Sequence, residues 1–388
     1  MENLVKMFVK EVFEVLYSPV KAFKKIIEKR DFKGVILVLV LVIASMLISQ
    51  YVVASKLIVE TRTPEADDWT EMLVTPHNWT SNGSPSWDAA DYQMGNQDGN
   101  YSISSLATDN TTIWLKLTDI EPVSCSDDGQ KEMFFWIKWV NEGESSPTSG
   151  TLKLFSDSEE SYFEADITSF LTSSGEWANV TLNVGSGQSW ASYNSPNWQS
   201  ITGLKFELNW ASSANLTMKI DGLFFRQFVP YLDAVGTSGV IQITLFSLGM
   251  PFIIDWILWS AILMLVAKLF QEELGRWANL LVIIGYTYIT YAVYTLINTA
   301  FLASLPPINW YLDPYLAQAV LNELWIPLPA YTISLYLPVI GSIWTALLAA
   351  VVVRLMLDTN WRKALTIALV AFGVNFVLSP LVQLLIGF

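Results

Sequence analysis

Two kinds of hydrophobic pattern divide this chain. Five long runs are almost free of charge, at 34–55, 238–267, 279–303, 332–356 and 364–386. Between the first and second runs, residues 60–230 alternate apolar and polar positions instead. An uncharged helix of about 20 residues is roughly 30 Å long, enough to cross a bilayer core, whereas a period of two is typical of strands with one buried face. We predict five transmembrane helices, in which Pro251 divides the second run.

The alternation predicts an all-β sandwich. In "GLKFELNW" at 203–210 the apolar residues occupy every second position, and "WANVTLNV" at 177–184 and "LTMKIDGLFF" at 216–225 behave in the same way. Gly, Ser, Pro and Asn separate these short segments, as they do in sandwiches. The predicted fold is a membrane α-helical bundle with an inserted, jelly-roll-like β-sandwich at 60–230, followed by the rest of the bundle at 238–388.

Basic residues near the ends of the apolar runs predict the orientation. Residues 1–33 carry eight Lys and Arg, whereas the link between the third and fourth runs carries none. Because cytoplasmic segments are enriched in Lys and Arg, the N-terminus is predicted inside, and residues 60–230 and the C-terminus outside. Residues 1–33 also have an apolar stripe at helical spacing, which includes Phe23 and Ile26. We interpret this segment as an amphipathic helix on anionic lipid headgroups, with protein docking as the alternative.

Composition narrows the function further. Residues 60–230 hold 24 of the 36 acidic residues and only 8 of the 22 basic ones, which argues against nucleic acid as a partner. Cys125 is the only cysteine and His77 the only histidine, so an intrachain disulfide and a multi-histidine metal site are excluded. No zinc-protease, P-loop or dinucleotide-binding motif occurs. We therefore expect no enzyme activity and no cofactor, apart from a candidate structural Ca²⁺.

Six Asn-x-Ser/Thr sequons lie in the predicted outside domain, and none lies in a segment predicted to face the cytoplasm. They predict a glycoprotein, although such sequons also arise by chance in Asn- and Ser-rich sequence. The candidate acceptors are Asn78, Asn82, Asn100, Asn110, Asn179 and Asn215. The lone cysteine, the sequons and the acidity together favour a prokaryotic, archaeal cell envelope.

The strands at 162–185, 197–210 and 218–225, which end in "MKIDGLFF", resemble galactose-binding-like jelly rolls and carbohydrate-binding modules. The resemblance implies a sandwich that binds a glycan, a surface-layer component or a partner protein. For a glycan, the loop "GSGQSWASYNSPNW" supplies the candidates, and core packing is the alternative for its aromatic residues. The candidate glycan ligands are Trp190, Tyr193, Asn194 and Trp198. Asp221 is a candidate Ca²⁺ ligand or an ordinary hydrogen-bonded carboxylate.

The apolar segments carry a second resemblance. "LYSPVKAFKKIIEKRDFKG" at 16–34, "GRWANLLVIIGYTYITYAVY" at 275–294 and "IGSIWTALLAAVVVRLMLDTNWRKALTIAL" at 340–369 are similar to the Yip-domain (Ypt/Rab-interacting) multi-pass membrane family. The resemblance implies a compact helical bundle with an N-terminus inside. In eukaryotes it also implies a role in vesicle trafficking with small GTPases.

Polar residues inside the runs are functional candidates, because ionisable groups are expensive in a bilayer. Asp255 is the only acidic residue within a predicted span, and Arg354 would be its natural partner. Tyr291, Tyr294 and Asn298 follow helical spacing and form one polar stripe. This stripe predicts either a lined cavity or hydrogen bonds between helices.

Three functions are compatible with these patterns. A non-catalytic membrane scaffold or accessory subunit, with a membrane-protein partner and an external ligand, is favoured because no catalytic constellation is visible. A transporter or channel that uses Asp255 and the tyrosine stripe is the first alternative. An external hydrolase with paired carboxylates is the second.

Overall fold

A computed structural model of the chain describes residues 2–29, 32–71, 78–93, 99–143 and 145–385, with the side chains of 2–8 and 78 left out. These residues form two compact units. The helical unit comprises Met1–Ile58, Pro230–Ile308 and Ala319–Phe388. The β unit comprises Val59–Val229 and Asn309–Gln318.

Ten α-helices lie in the described residues. Five helical segments are long and apolar enough to cross a membrane: Lys33–Ala54, Tyr231–Leu269, Trp277–Ala303, Pro329–Leu357 and Trp361–Leu385. The predicted class of membrane helical bundle is thereby confirmed. The helices are α1 Glu2–Tyr17, α2 Pro19–Lys29, α3 Lys33–Ala54, α4 Tyr231–Thr244, α5 Met250–Leu269, α6 Trp277–Gly285, α7 Ile289–Ala303, α8 Pro314–Leu324, α9 Pro329–Leu357 and α10 Trp361–Leu385.

Pro251 does not divide the second span, contrary to the expectation from sequence. A π-helical turn at Leu245–Gly249 joins α4 directly to α5, and Pro251 lies in the first turn after it. A proline cannot donate to the preceding turn, and a π-helical turn is one way in which a helix accommodates the missing bond. The helical path is interrupted earlier, at Gly236, whose φ of 74° and ψ of 160° are not helical.

The bundle is packed through small residues where helices cross. α3 packs against α7, α7 against α9, and α10 contacts both α9 and α5. At Gly34 in α3, a Cβ atom would lie 2.0 Å from the hydroxyl oxygen of Tyr286, which is fully buried. Without a hydrophobic driving force in lipid, such close approach supplies the dispersion contacts that hold helices together.

The N-terminal helices bury their apolar stripe in the protein, which corrects the interpretation that α2 lies on lipid headgroups. Phe23 and Ile26 are buried in the same apolar core as the spans, and α2 packs on α1 and α9. Its lysines pair with buried carboxylates of α1, Lys25 with Glu14 at 2.7 Å and Lys29 with Glu11. The stripe is therefore covered by the chain itself, and only the lysine side of α2 remains exposed.

Eleven strands are described, and each segment predicted from the alternation is a strand. They are β1 Leu57–Thr63, β2 Asn78–Ser81, β3 Ser84–Asp88, β4 Ser102–Thr118, β5 Glu132–Asn141, β6 Ser149–Ser156, β7 Ser158–Asp166, β8 Ala178–Asn183, β9 Ala191–Tyr193, β10 Ile201–Pro230 and β11 Ile308–Trp310. The ladders β10 forms with β4, β5 and β6 are all antiparallel.

Two long strands, β4 and β10, each contribute to both layers of the sandwich. The first half of β10 pairs with β6 and with the second half of β4, which gives a first sheet of order β9-β7-β6-β10-β4-β2. The second half of β10 pairs with β5 and the first half of β4, which gives a second sheet of order β3-β4-β10-β5-β8. Irregular pairing between Asn209 and Leu216 marks the passage of β10 from one sheet to the other.

Inward side chains of both sheets form one core. Along β10 the residues Leu204, Phe206 and Leu208 are buried, and the polar residues between them are half-exposed. Phe206 of the first sheet meets Phe135 of the second with ring centroids 4.9 Å apart. These contacts confirm the predicted β-sandwich.

An ion-pair cluster lies on the outward side of the second sheet. Lys219 Nζ lies 2.6 Å from carboxylate oxygens of both Asp88 and Asp91, and Lys138 Nζ lies 3.0 Å from Asp91. Trp177 Nε1 donates to Asp91 at 3.0 Å. Burial alone would raise the pKa of Asp91, but these donors outweigh it and lower the pKa to about 2.

We therefore expect the β unit to lose stability as the pH falls. A carboxylate whose folded-state pKa lies below its unfolded value of about 3.9 stabilises the fold fully above that value, and the contribution disappears as the pH falls through the folded pKa. Asp91 should contribute about 1–2 kcal/mol above pH 5, after allowance for solvent screening, and little near pH 2. Asp91→Asn should flatten the pH dependence of the unfolding midpoint in urea. The exposed control Glu65→Gln should leave it unchanged.

Cys125 provides the readout for this experiment. It is the only cysteine, it is fully buried in the β unit, and burial raises the pKa of its thiol to about 12. A thiol in this environment reacts only when the unit opens. Labelling with a dithiodipyridine reagent, which also works at acid pH, reports the unfolded fraction. Parallel pH profiles for wild type and Asp91→Asn would contradict the prediction.

Candidate ligand-binding sites

The outward side of the first sheet carries aromatic and charged residues in register. One row of the ladder pairs Lys116, Lys205, Lys153 and Glu164 across β4, β10, β6 and β7. The adjacent rows bring Trp114 beside Glu207 and Tyr162 beside Tyr193. We call this set the binding face: Trp114, Lys116, Lys153, Tyr162, Glu164, Tyr193, Lys205 and Glu207.

Aromatic rings lie at both ends of the binding face. Tyr162 and Tyr193 stack with ring centroids 4.7 Å apart, and Tyr193 is 43% exposed on the edge strand β9. Trp114 lies three strands away from Tyr162, about 14 Å across the strands at the usual strand spacing, and their rows are four residues apart along the strands. The face therefore offers two aromatic platforms with a polar strip between them.

Ion pairs hold the lysines of this strip. Lys205 lies 2.5 Å from Glu207, and Lys153 lies 3.2 Å from Glu164. Burial favours the neutral form of Lys153, but the pairing with Glu164 outweighs it and raises the pKa of Lys153. Burial likewise opposes the charge of Glu207, yet the hydrogen bond from Lys205 lowers the pKa of Glu207. The strip therefore contains charged side chains of both signs, and its net charge is close to zero.

Two of the loop aromatics predicted as glycan ligands pack against the core. Trp198 stacks on Phe163 with centroids 3.7 Å apart, and Trp190 meets Trp198 edge-on at 5.7 Å. Trp190 Nε1 donates to the carbonyl of Asn183 at 2.8 Å. Both indoles keep a partly exposed edge, so a role in binding stays a prediction, with core packing as the role the structure describes.

The other two loop residues lie at the edge of the binding face. Tyr193 stacks on Tyr162, as described above. Asn194 adopts a left-handed conformation with φ of 57°, and its Nδ2 donates to the carbonyl of Glu160 at 2.7 Å. This hydrogen bond ties the end of β9 to β7 and thereby positions Tyr193.

Asp221 is fully buried, and hydrogen bonds from three chain segments converge on its carboxylate. Gln93 N donates at 2.6 Å, Gly222 N at 2.8 Å and Thr70 Oγ1 at 3.3 Å. Among the described residues, no group of three or more His, Cys, Asp or Glu could hold a metal ion. The role of Asp221 as a Ca²⁺ ligand remains a prediction, and the hydrogen bonds give it a structural role.

The sequon asparagines differ in their surroundings. Asn82, Asn100 and Asn179 are exposed, as an acceptor for a glycan must be. The Nδ2 atom of Asn82 donates to the carbonyl of Thr112, and that of Asn215 donates to Glu142. Asn110 accepts from Thr112 N at 3.1 Å, and the side chain of Asn78 lies outside the described residues. Glycosylation of the six sites stays a prediction.

The helical unit contains a cavity of about 380 Å³ among α5, α7, α9 and α10, and Asp255 lies in its wall. Three neutral donors hold the Asp255 carboxylate: Tyr288 Oη at 2.9 Å, Asn375 Nδ2 at 3.0 Å and Ser379 Oγ at 2.9 Å. Tyr291 and Tyr294 also line the cavity.

Only some of the residues that line this cavity were predicted from the sequence. Asp255, Tyr291 and Tyr294 line the cavity as predicted, but Asn298 is not among its lining residues. The Arg354 guanidinium instead lies 4.2 Å from the centre of the Trp361 ring. Arg354 is thus not the partner of Asp255 that the sequence suggested. Three lining residues that were missed are Asn375, Ser379 and Gln383. Their spacing of four residues along α10 places them on one face of a helix, a signal that was readable in the sequence.

Comparison with known proteins gives no family. No protein-family model matches the chain, and no curated protein matches it. Among solved structures, an exo-β-agarase is 13% identical with a TM-score of 0.31, over 40% of this chain and 24% of its own. The chain therefore spans about a quarter of that enzyme.

Two smaller domains match over most of their own length. The family 11 carbohydrate-binding module from Clostridium thermocellum, in complex with a β-1,3-1,4-mixed-linked tetrasaccharide, is 12% identical with a TM-score of 0.29, over 43% of this chain and 94% of its own. The CBM22-1 xylan-binding domain from Paenibacillus barcinonensis is 13% identical with a TM-score of 0.24, over 42% and 91%. At these TM-scores the likenesses carry no argument about a ligand. The class that the structure itself defines is a membrane helical bundle with an inserted antiparallel β-sandwich.

Proposed function

We propose that this protein is a non-catalytic membrane scaffold whose β unit binds a neutral glycan on the binding face. One observation carries the proposal: two aromatic platforms, Tyr162 with Tyr193 and Trp114, flank a strip of paired lysines and glutamates on one sheet. Flat rings pack against the apolar C–H faces of sugars, and fixed polar groups between them orient the hydroxyls.

The polar strip suits hydroxyl groups in particular. A sugar hydroxyl both donates and accepts, so it can bridge a lysine and a carboxylate that are already paired. Lys205 with Glu207 and Lys153 with Glu164 present such adjacent donors and acceptors. Because ion pairs hold these side chains in place, less conformational entropy is lost when a ligand binds.

Charge favours a neutral ligand over an acidic one. Residues 60–230 carry a net charge of about −16 from 24 acidic and 8 basic residues. A field of this sign repels polyanions within the Debye length of about 8 Å at physiological salt. A neutral envelope polysaccharide or the neutral glycan of a surface protein is thus the ligand class we propose.

The helical unit would hold this module at the cell surface. We propose a Yip-like arrangement in which the N-terminus is cytoplasmic and the β unit and C-terminus are external, with a membrane-protein partner in the bilayer. The distribution of Lys and Arg along the links supports this orientation. The five apolar segments support the membrane location.

The binding face is tested with the full-length protein in a maltoside-free detergent. The panel contains neutral polysaccharides, acidic polysaccharides and neutral glycans extracted from the producing cells. We expect calorimetry to show saturable binding of at least one neutral member. Tyr193→Ala and Trp114→Ala should each weaken binding about tenfold or more, since an aromatic anchor contributes about 1–3 kcal/mol.

Trp136→Ala is the matched control. Trp136 lies on β5 of the second sheet, it is half-buried, and it points away from the core as Trp114 does. Protection of Cys125 from thiol reagents verifies that each variant is folded. The proposal is wrong if no glycan binds, or if Trp114→Ala and Tyr193→Ala bind as tightly as Trp136→Ala.

A further inference from the structure

We propose that the cavity around Asp255 binds an ammonium group, carried by an aminolipid or by a free amine. This inference concerns the helical unit and is independent of glycan binding. The cavity is lined by side chains of four spans, and at about 380 Å³ it is large enough for an organic ligand.

The carboxyl group of Asp255 has no cationic partner in the described part of the chain. Its oxygen atoms accept from Tyr288, Asn375 and Ser379, and no described lysine or arginine pairs with it. These neutral donors satisfy hydrogen-bonding positions of the carboxylate but supply no positive charge, and a buried carboxylate is best stabilised by a cationic partner. A cationic ligand would supply that partner.

A second acceptor in the cavity is also without a partner. Asn375 is only 9% exposed, and while its Nδ2 donates to Asp255, its Oδ1 has no hydrogen-bond donor among the described residues. A buried amide oxygen without a donor destabilises the fold, because it has lost its hydrogen bonds to water without replacement. An ammonium group with several N–H donors would satisfy Asn375 and Asp255 together.

The remaining walls also suit an organic cation. Aromatic side chains from α5, α7 and α10 line the same cavity, and ring faces attract ammonium groups. These lining residues are Trp259, Tyr291, Tyr294, Phe372 and Phe376. Trp259 Nε1 is buried and has no described acceptor, so an oxygen near the ammonium, as in an amino alcohol, would supply one. A hard metal ion fits less well, because it requires about six oxygen ligands.

One wall of the cavity reaches the surface of the helical unit. Phe376 of α10 lines the cavity and is 71% exposed. A headgroup ammonium could therefore enter from the bilayer, and a soluble amine could enter by itself. The two sources share the chemistry that Asp255 recognises.

The full-length protein is tested in two arms. In the first, nanodiscs of phosphatidylglycerol with or without phosphatidylethanolamine are compared by native mass spectrometry for retention of one aminolipid. In the second, calorimetry in maltoside detergent compares phenylalaninol with 3-phenyl-1-propanol, which lacks the ammonium group. Binding in the first arm alone identifies a lipid ligand, and binding in the second identifies a free amine.

We expect the ammonium probe to bind in at least one arm and its neutral counterpart not to bind. Asp255→Asn should weaken binding about tenfold or more, because the amide keeps an acceptor but loses the charge. Asp233→Asn, at a carboxyl in the first turn of α4, should have no effect.

A second pair of variants guards against misfolding of Asp255→Asn. Phe376→Ala removes an exposed aromatic wall of the cavity and should weaken binding severalfold, whereas Tyr336→Ala, at an exposed aromatic on α9 outside the cavity, should not. The proposal is overturned if phenylalaninol and 3-phenyl-1-propanol bind with equal affinity, or if the cavity binds Na⁺ alone. It is also overturned if both cavity variants bind as tightly as the wild type, or if no probe binds in either arm.

Discussion

Replacing Asp221 by alanine is expected to destabilise the β unit by about 3–5 kcal/mol. The carboxylate is fully buried and accepts from Gln93 N, Gly222 N and Thr70 Oγ1. Hydrogen bonds to a charged acceptor contribute about 1.5–3 kcal/mol each, and a buried donor left without an acceptor costs about 1–3 kcal/mol. Alanine removes every acceptor at once and leaves two backbone N–H groups unsatisfied.

Asp221→Asn separates charge from geometry. Asparagine keeps one acceptor oxygen, but its NH₂ group would face a backbone N–H that now has no acceptor. We expect a destabilisation of intermediate size, roughly 1–3 kcal/mol. If Asp221 acts as a Ca²⁺ ligand, added Ca²⁺ should raise the stability of the wild type and not that of Asp221→Asn.

The measurement is the midpoint of Cys125 labelling in urea for the full-length protein. Asp128→Ala, which removes an exposed carboxylate on the same unit, is the control and should shift the stability by less than about 0.5 kcal/mol. A midpoint for Asp221→Ala within the range of this control would contradict the structural role of Asp221.

In the helical unit, Gly341→Ala is expected to destabilise the packing of α7 on α9 by about 2–3 kcal/mol. A Cβ atom at Gly341 would lie 1.8 Å from Cδ1 and 2.4 Å from Cγ of Tyr294. Because rotation of the ring about the Cβ–Cγ bond leaves Cγ in place, it cannot relieve the clash, and Tyr294 is also packed on Tyr291. The two helices would have to separate, and overpacking of this kind typically costs about 1–3 kcal/mol.

Gly373→Ala is the matched control within the same bundle. A Cβ atom at Gly373 in α10 would meet no atom of the described residues within 4 Å, so alanine should be neutral or slightly stabilising there. Loss of helical circular dichroism during titration with a denaturing detergent gives the stability of each variant. Equal effects of Gly341→Ala and Gly373→Ala would contradict the packing argument.

A rescue variant tests the contact itself. Tyr294→Ala leaves room for a methyl group at Gly341, so the double variant should be less destabilised than the sum of the single ones. Strict additivity would show that the clash with Tyr294 does not cause the effect.

The helices and strands could be predicted from the periodicity of apolar residues with little error. The apolar runs became spans, and "GLKFELNW" and "LTMKIDGLFF" became strands with the expected inward residues. Such patterns are local, because a bilayer or a sandwich core imposes its period directly on each segment. The sequence did not reveal that these two segments are halves of one strand in different sheets, since a bend of the backbone leaves the alternation intact.

The candidate sites were less accessible to prediction. Tyr193 was selected for its loop, yet its partner Tyr162 lies on another strand and became visible only through the ladder. Trp198 is of a residue type that often binds sugars, but in the structure it stacks on Phe163 and packs against the core. Asp255 was recognisable alone because a carboxylate in a span is rare, whereas its donors Asn375 and Ser379 lie on a helix more than a hundred residues later.

The sequence by itself determined the membrane class, the number of spans and the all-β nature of the insertion, because burial in lipid or in a sandwich selects residue types position by position. Only the tertiary structure decided which side chains meet. It covered the apolar stripe of α2 with α9, assembled the binding face across five strands, and placed Asp255 beside Asn375 and away from Arg354. Such meetings depend on strand register and helix crossing, which are set by packing between segments distant in the chain.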